Sequence, residues 1–120
     1  MASDDRDEID GLLPLQHAEF HILLALSGGD CHGYGIIQDV EARTNGALRL
    51  SPGTLYGSIK RMLEDGLIVE VDARPGPDED ERRRYYRITQ SGRDIAQAEA
   101  DRLTVLLRQA RAVGLTSKRA

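Results

Sequence analysis

Between Ser51 and Ile88 the chain changes its period once. Leu55, Ile59, Met62 and Leu63 fall at i, i+4, i+7 and i+8, the spacing of one helix face. Past Gly66 the pattern becomes Leu67-Ile68-Val69-Glu70-Val71-Asp72, which alternates towards its end. Arg74-Pro75-Gly76-Pro77-Asp78 follows as a loop, and then Arg84-Tyr85-Tyr86-Arg87-Ile88. Two extended runs separated by such a loop read as antiparallel partners. An amphipathic helix therefore stands directly before a β-hairpin.

The flanking segments are helical. Leu15, Ala18, Ile22, Leu23, Ala25 and Leu26 make a wide apolar face, with Phe20 beside it, and predict a helix of about thirteen residues. Ser27-Gly28-Gly29-Asp30 ends it. A second helix places Ile36, Ile37, Val40 and Ala42 inward, and Asn45-Gly46 closes it. Ser51-Pro52 opens the third, because serine caps a helix and proline at its first position loses no needed hydrogen bond. Thr89 caps a long last helix running from about Gln90 to Val113.

Three short helices, a hairpin and a further helix make a winged helix-turn-helix. The fold class is mainly α with a small β-hairpin, plus a long C-terminal dimerisation helix. The winged domain is expected over 13–89 and the dimerisation helix over 90–114. Residues 1–12 are expected to be an acidic disordered tail and 115–120 a second one. In this architecture the third helix enters the DNA major groove and the hairpin is the wing.

The chain's 120 residues suit a single domain with an extension, and 40% hydrophobic content suffices for a core. One cysteine excludes an internal disulfide framework and fits a reducing cytoplasm. The first residues carry no basic region before an apolar stretch, so no secretory signal is expected, nor any membrane partner. Net charge is −4, and residues 1–10 hold all of it: five acids against Arg6. The other 110 residues balance at fifteen of each sign. Within them Asp78-Glu79-Asp80-Glu81 is followed by Arg82, Arg83, Arg84, Arg87 and Arg93 with no acid between 82 and 93. That local dipole matters more to a polyanion than the whole-chain balance does.

Each DNA-facing position has a chemical reason. Ser51 and Pro52 aim the positive end of the third helix at DNA. Thr54 and Ser58 are short and polar, able to reach base edges or phosphates, and Gly57 permits close approach. Lys60 and Arg61 lie a turn further on, beside the flanking phosphates. Tyr56 falls towards the DNA side. Tyr34 offers a hydroxyl to a phosphate or a ring to the core. In the wing, Tyr86 and Ile88 share the inward face with Arg84, while Arg83, Tyr85 and Arg87 share the other. The arginines can neutralise phosphates or enter a minor groove. On the last helix Leu103, Leu106, Ala110 and Val113, with Leu107 beside them, follow a coiled-coil seam and are assigned to dimerisation. Leu24 or Leu26 is expected to join them.

Five motifs together resemble the PadR family of bacterial transcriptional regulators, over about residues 15–107. They are Ile22-Leu23-Leu24-Ala25-Leu26, His32-Gly33-Tyr34-Gly35-Ile36, Ser51-Pro52-Gly53-Thr54-Leu55-Tyr56, Leu63-Glu64-Asp65-Gly66-Leu67-Ile68 and Arg83-Arg84-Tyr85-Tyr86-Arg87-Ile88-Thr89, with Gly92 following. The short tail is similar to the compact branch, which has a single C-terminal helix. The resemblance implies a homodimeric regulator of double-stranded DNA, most often a repressor on a pseudo-palindromic operator. It also leaves room for an unknown small-molecule effector near the dimer interface. No cofactor is implied.

The same residues bear on other classes of function. No nucleophile-elbow serine or phosphate-loop glycine pattern supports an enzyme. His17 and His21, at i and i+4, with Cys31 and His32 beyond the helix end, are the candidate ligands for a metal- or redox-responsive regulator. The resemblance does not carry them as metal ligands. A winged helix that binds protein is the third class. It is favoured by the acidic balance and disfavoured by the arginine-rich wing.

Overall fold

The computed structural model describes residues 11–75 and 82–116, without the side chains of 72–75 and 82–83. The elements run α1 (His17–Ser27), β1 (Cys31–His32), α2 (Gly33–Arg43), α3 (Pro52–Glu64), β2 (Ile68–Pro75), β3 (Arg82–Ile88) and α4 (Gln90–Ala112). The wing is therefore more than a hairpin. Its sheet has the order β1-β3-β2, with Cys31 opposite Tyr86 and His32 opposite Tyr85. A two-residue strand has no period of its own, so β1 left no pattern in the sequence.

Helix α1 is the hub and packs against α2, α3, α4 and β3. Ile22, Leu23 and Leu26 are buried there, so Leu26 belongs to the core and cannot join a dimer seam, whereas Leu24 stays exposed. The helix begins later than its apolar pattern suggests. Leu15 lies before it, yet is buried, and Leu12 and Leu13 also pack on the core. Leu12 thus belongs to the domain rather than to the tail. The acidic residues 1–10 lie outside the described residues. Of the expected second tail, Leu115 still closes α4 through its amide and the Ala110 carbonyl (2.9 Å), while 117–120 lie outside. On α2, Ile36 and Val40 are buried and Ile37 is half-buried, but Ala42 is exposed rather than inward.

The caps expected from sequence hold α3 and α4. Ser51 Oγ accepts from the Thr54 amide at 3.2 Å, with Pro52 at the first helical position. Gly66, at φ 74°, ends α3 in the left-handed region that glycine enters without a Cβ penalty. The Leu67 amide then bonds back to the Met62 carbonyl at 2.9 Å. Thr89 Oγ1 accepts from the Gly92 amide (3.0 Å) and donates to the Gly66 carbonyl (2.7 Å). One threonine thereby caps α4 and ties its start to the end of α3. Tyr86, Ile88 and Ile95 close the core under the sheet.

Glu99 is a charge inside this packing. It is nearly buried on α4, receives both Nε (2.8 Å) and Nη2 (2.6 Å) of Arg102, and accepts from the Leu15 amide at 3.3 Å. The Arg102 hydrogen bonds outweigh burial and hold its carboxyl below the usual range. The carboxylate pins the segment before α1 onto α4. Glu99→Ala leaves the buried Leu15 amide without an acceptor, and we expect a loss of about 1–3 kcal/mol in chemical denaturation. Because the folded pKa is depressed, Glu99's contribution is present above the unfolded carboxylate pKa and fades as pH falls through the folded one.

Candidate nucleic-acid interface

Helix α3 buries Leu55, Ser58, Ile59 and Met62, packs Leu63 half-buried against the core, and turns its polar residues other than Ser58 outward. Ser58 corrects the expectation from sequence. It is 0% exposed, and at ~100° per residue it falls beside Met62 at the edge of the inward arc, so it cannot reach a base. Thr54, Tyr56 and Lys60 are exposed and Gly57 is half-buried. Thr54 Oγ1 also accepts from Ser51 Oγ at 3.1 Å. Tyr34, 60% exposed at the start of α2, and Tyr56, 52% exposed, are both surface aromatics, which leaves the core reading of Tyr34 unsupported. Tyr56 crosses to α2: a Cβ on Gly33 would stand 2.5 Å from its phenol oxygen. Glycine at 33 lets the two helices meet this closely.

Arg61 bends towards α1, with about half of its side chain (49%) still in solvent. Its Nη2 donates to Gln16 Oε1 (3.0 Å) and Ser58 Oγ (3.2 Å), and its Nε lies 3.6 Å from Glu19 Oε1. Burial pushes the Glu19 carboxyl up, Arg61 opposes that, and Asp65 adds to it.

The wing arginines divide similarly. Arg87 makes a bidentate pair with Asp30, at 2.9 and 2.8 Å. This ties the base of β3 to the loop after α1, so Arg87 meets an acid of the body before any phosphate. Arg84 is exposed and stands 3.8 Å from Glu70. Tyr85 packs edge-on to His32 with ring centroids 5.3 Å apart. Between Val71 and Arg74 the ladder shifts, so that β2 gains a residue over β3. A bulge there bends the wing and increases its twist. The Arg83 side chain and the acids 78–81 lie outside the described residues.

The seam expected on α4 is exposed. Its N-terminal half buries Ile95 and Glu99, and its C-terminal half leaves Leu103, Leu106, Leu107 and Val113 in solvent, with Ala110 half-buried. Beside this stripe, α1 and α4 enclose a groove of about 360 Å³ lined chiefly by Phe20, Leu24, Ala96 and Ala100, with Arg93 at its rim.

The model of the transcriptional regulator PadR-like family matches residues 22–98, which span the helical core, the wing and the first part of α4. The chain belongs to this family. PadR-like proteins are transcriptional regulators, not enzymes. The chain is 33% identical over 93 residues to the transcriptional regulator Rv3488 of Mycobacterium tuberculosis, covering 74% of this chain and 78% of that protein. It is 35% identical over 83 residues to an uncharacterized 37.1 kDa protein in transposon TN4556 of Streptomyces fradiae, covering 69% of this chain but only 22% of that one. Among solved structures, a transcriptional regulator from Clostridium thermocellum superposes with TM-score 0.69 at 25% identity, covering 92% of this chain and 99% of the other. A PadR family regulator from Clostridium difficile superposes with the same TM-score at 24% identity, covering 82% and 98%, and shows the shared winged-helix fold.

The histidine and cysteine set has structural uses within this PadR-like frame. His32 Nδ1 accepts from the Gly35 amide at 2.9 Å and caps α2. His17 and His21 meet edge-on, 4.6 Å apart. Burial, then His17 and Arg43, lower the His21 pKa. Burial, then Asp39, pushes the Cys31 thiol up and so disfavours the reactive thiolate. Among the described residues no three or more His, Cys, Asp or Glu side chains gather as a metal site, and no helix is long and apolar enough to cross a membrane. Glu19, Asp30 and Glu99 escaped the sequence reading. Glu19 and Asp30 find their arginines on other elements, and Glu99, though paired with Arg102 three residues on, is fixed by the distant Leu15 amide, so no local pattern marks these roles.

Proposed function

We propose that this chain is a cytoplasmic, homodimeric repressor that reads a pseudo-palindromic operator with α3 in the major groove and the wing beside it. The observation that carries this reading is the division of α3. One face is core, and the other, from Ser51 through Thr54, Tyr56 and Gly57 to Lys60, is polar and open at the helix's positive end. Tyr34 extends that surface from α2, and Arg84 extends it from the wing. The exposed half of α4 supplies a two-fold seam through Leu103, Leu106, Leu107, Ala110 and Val113, with Leu24 at its side. Two recognition helices related by that axis read half-sites about one DNA turn, roughly 34 Å, apart.

Binding selection from random duplexes, followed by salt titration of the selected site, tests the reading. Lys60→Ala is expected to weaken all duplexes alike and to make the slope of log affinity against log salt about one unit shallower. Thr54→Ala instead changes which sequences are selected, costing about tenfold on the preferred site. A folded wild-type chain with no salt-dependent duplex binding would defeat the proposal and favour a protein partner.

A further inference from the structure

Arg61 lies on the flank of the DNA-facing arc of α3, yet its guanidinium is engaged from inside. Gln16 and Glu19 hold it from the α1 side and Ser58 from its own helix. Glu19 is 7% exposed. A carboxylate so removed from water needs a cation beside it, and among the described residues its charged neighbours are Arg61 and Asp65, of which Arg61 has the right sign. Drawing Arg61 out to a phosphate would strand that anion. A phosphate therefore gains only the difference between two anions competing for one guanidinium, whereas at Lys60 it gains a whole new pair.

We propose that Glu19 is a brake on the DNA surface: it withholds Arg61 from the phosphate contacts, so that α3 docks with less sequence-blind attraction than its charges suggest. This rests on the DNA reading above and adds its regulation. Because phosphate contacts position without discriminating, removing one from the tally raises the share of recognition that Thr54 and its neighbours decide. Glu19 is a positioning residue in this role, acting through Arg61 and touching no DNA itself.

The test is the salt slope on a random-sequence duplex, followed by fluorescence anisotropy. Arg61→Gln should leave the wild-type slope unchanged, because Arg61 makes no phosphate contact while Glu19 is charged. Glu19→Gln keeps the shape, removes the competing anion, and should steepen the slope by about 0.9 with a roughly five- to tenfold gain in affinity near 0.1 M salt. The double variant should return to the Arg61→Gln slope. Gln16→Ala, at an exposed position outside the core, loosens the same guanidinium without touching the buried carboxylate. It should steepen the slope in the same direction but by less than about 0.9, because the Glu19 anion remains, and it reads out even if Glu19→Gln folds poorly. The proposal is overturned if Arg61→Gln alone makes the slope shallower by about 0.9, or if folded Glu19→Gln and Gln16→Ala both keep the wild-type slope. Failure of the wild-type chain to bind any duplex is a different result and overturns the DNA reading beneath it.

Discussion

Leu103→Asp with Leu106→Asp is expected to yield a monomer that folds and no longer holds its operator. Leu103 is 40% and Leu106 46% exposed within one chain, so each has apolar surface left to bury against a second copy. At roughly 25 cal/mol per Å², completing that burial contributes about 1–2 kcal/mol per leucine. A two-fold axis counts each residue twice, so four side chains are lost at once, or about 4–8 kcal/mol. The carboxylates add their own desolvation cost. At about 1.4 kcal/mol per tenfold, the dimer weakens by at least roughly a thousandfold. The monomer retains Ser51, Thr54, Tyr56 and Lys60 in place but reads only one half-site. Sedimentation equilibrium at micromolar concentration decides the first part and anisotropy on the selected operator the second. A wild-type chain that sediments at 13.3 kDa removes the dimer from the proposal.

The second large effect is expected at Gly92, in the first turn of α4. A Cβ there would overlap the Leu67 carbonyl and crowd the Ile88 side chain. The Leu67 carbonyl is backbone, already accepting from the Thr89 amide at 3.0 Å, and cannot swing aside as a side chain does. Gly92→Ala must therefore lift α4 off the end of β3 and strain the Thr89 cap. Overpacking of a tight site costs about 1–3 kcal/mol, and a rigid partner places this one at the upper end. Against a total stability of about 5–15 kcal/mol this is a large fraction. We expect the melting temperature to fall by about 10 °C or more at fixed protein concentration. Gly53→Ala is the control, because a Cβ there meets nothing within 4 Å. An unchanged melting temperature for Gly92→Ala would refute the close approach of α4 to Leu67.

What lay in the sequence alone was local. The Ser51-Pro52 start, the Gly66 stop, the Thr89 cap and the inward alternation of Tyr86 and Ile88 each rest on partners a few residues away, and all four stand in the structure. The ordered motifs resembling PadR-like proteins added the fold as a whole, and the family match over 22–98 agrees with it. What only the tertiary structure decided was how the polar side chains are used. Ser58 has an outward chemistry and an inward angle, and its burial in the fold settled it as core. Arg61 and Arg87 look alike in sequence as phosphate binders, but Glu19 and Asp30 reach them from α1 and the loop after it. Strand β1 exists only because β3 offers it a ladder. Glu99 is a buried anchor because the Leu15 amide, 84 residues away in the chain, arrives beside it. Caps and periods are short-range and can be read along a chain. Charge pairing and burial depend on which distant elements the fold brings together, and a linear pattern holds no record of that.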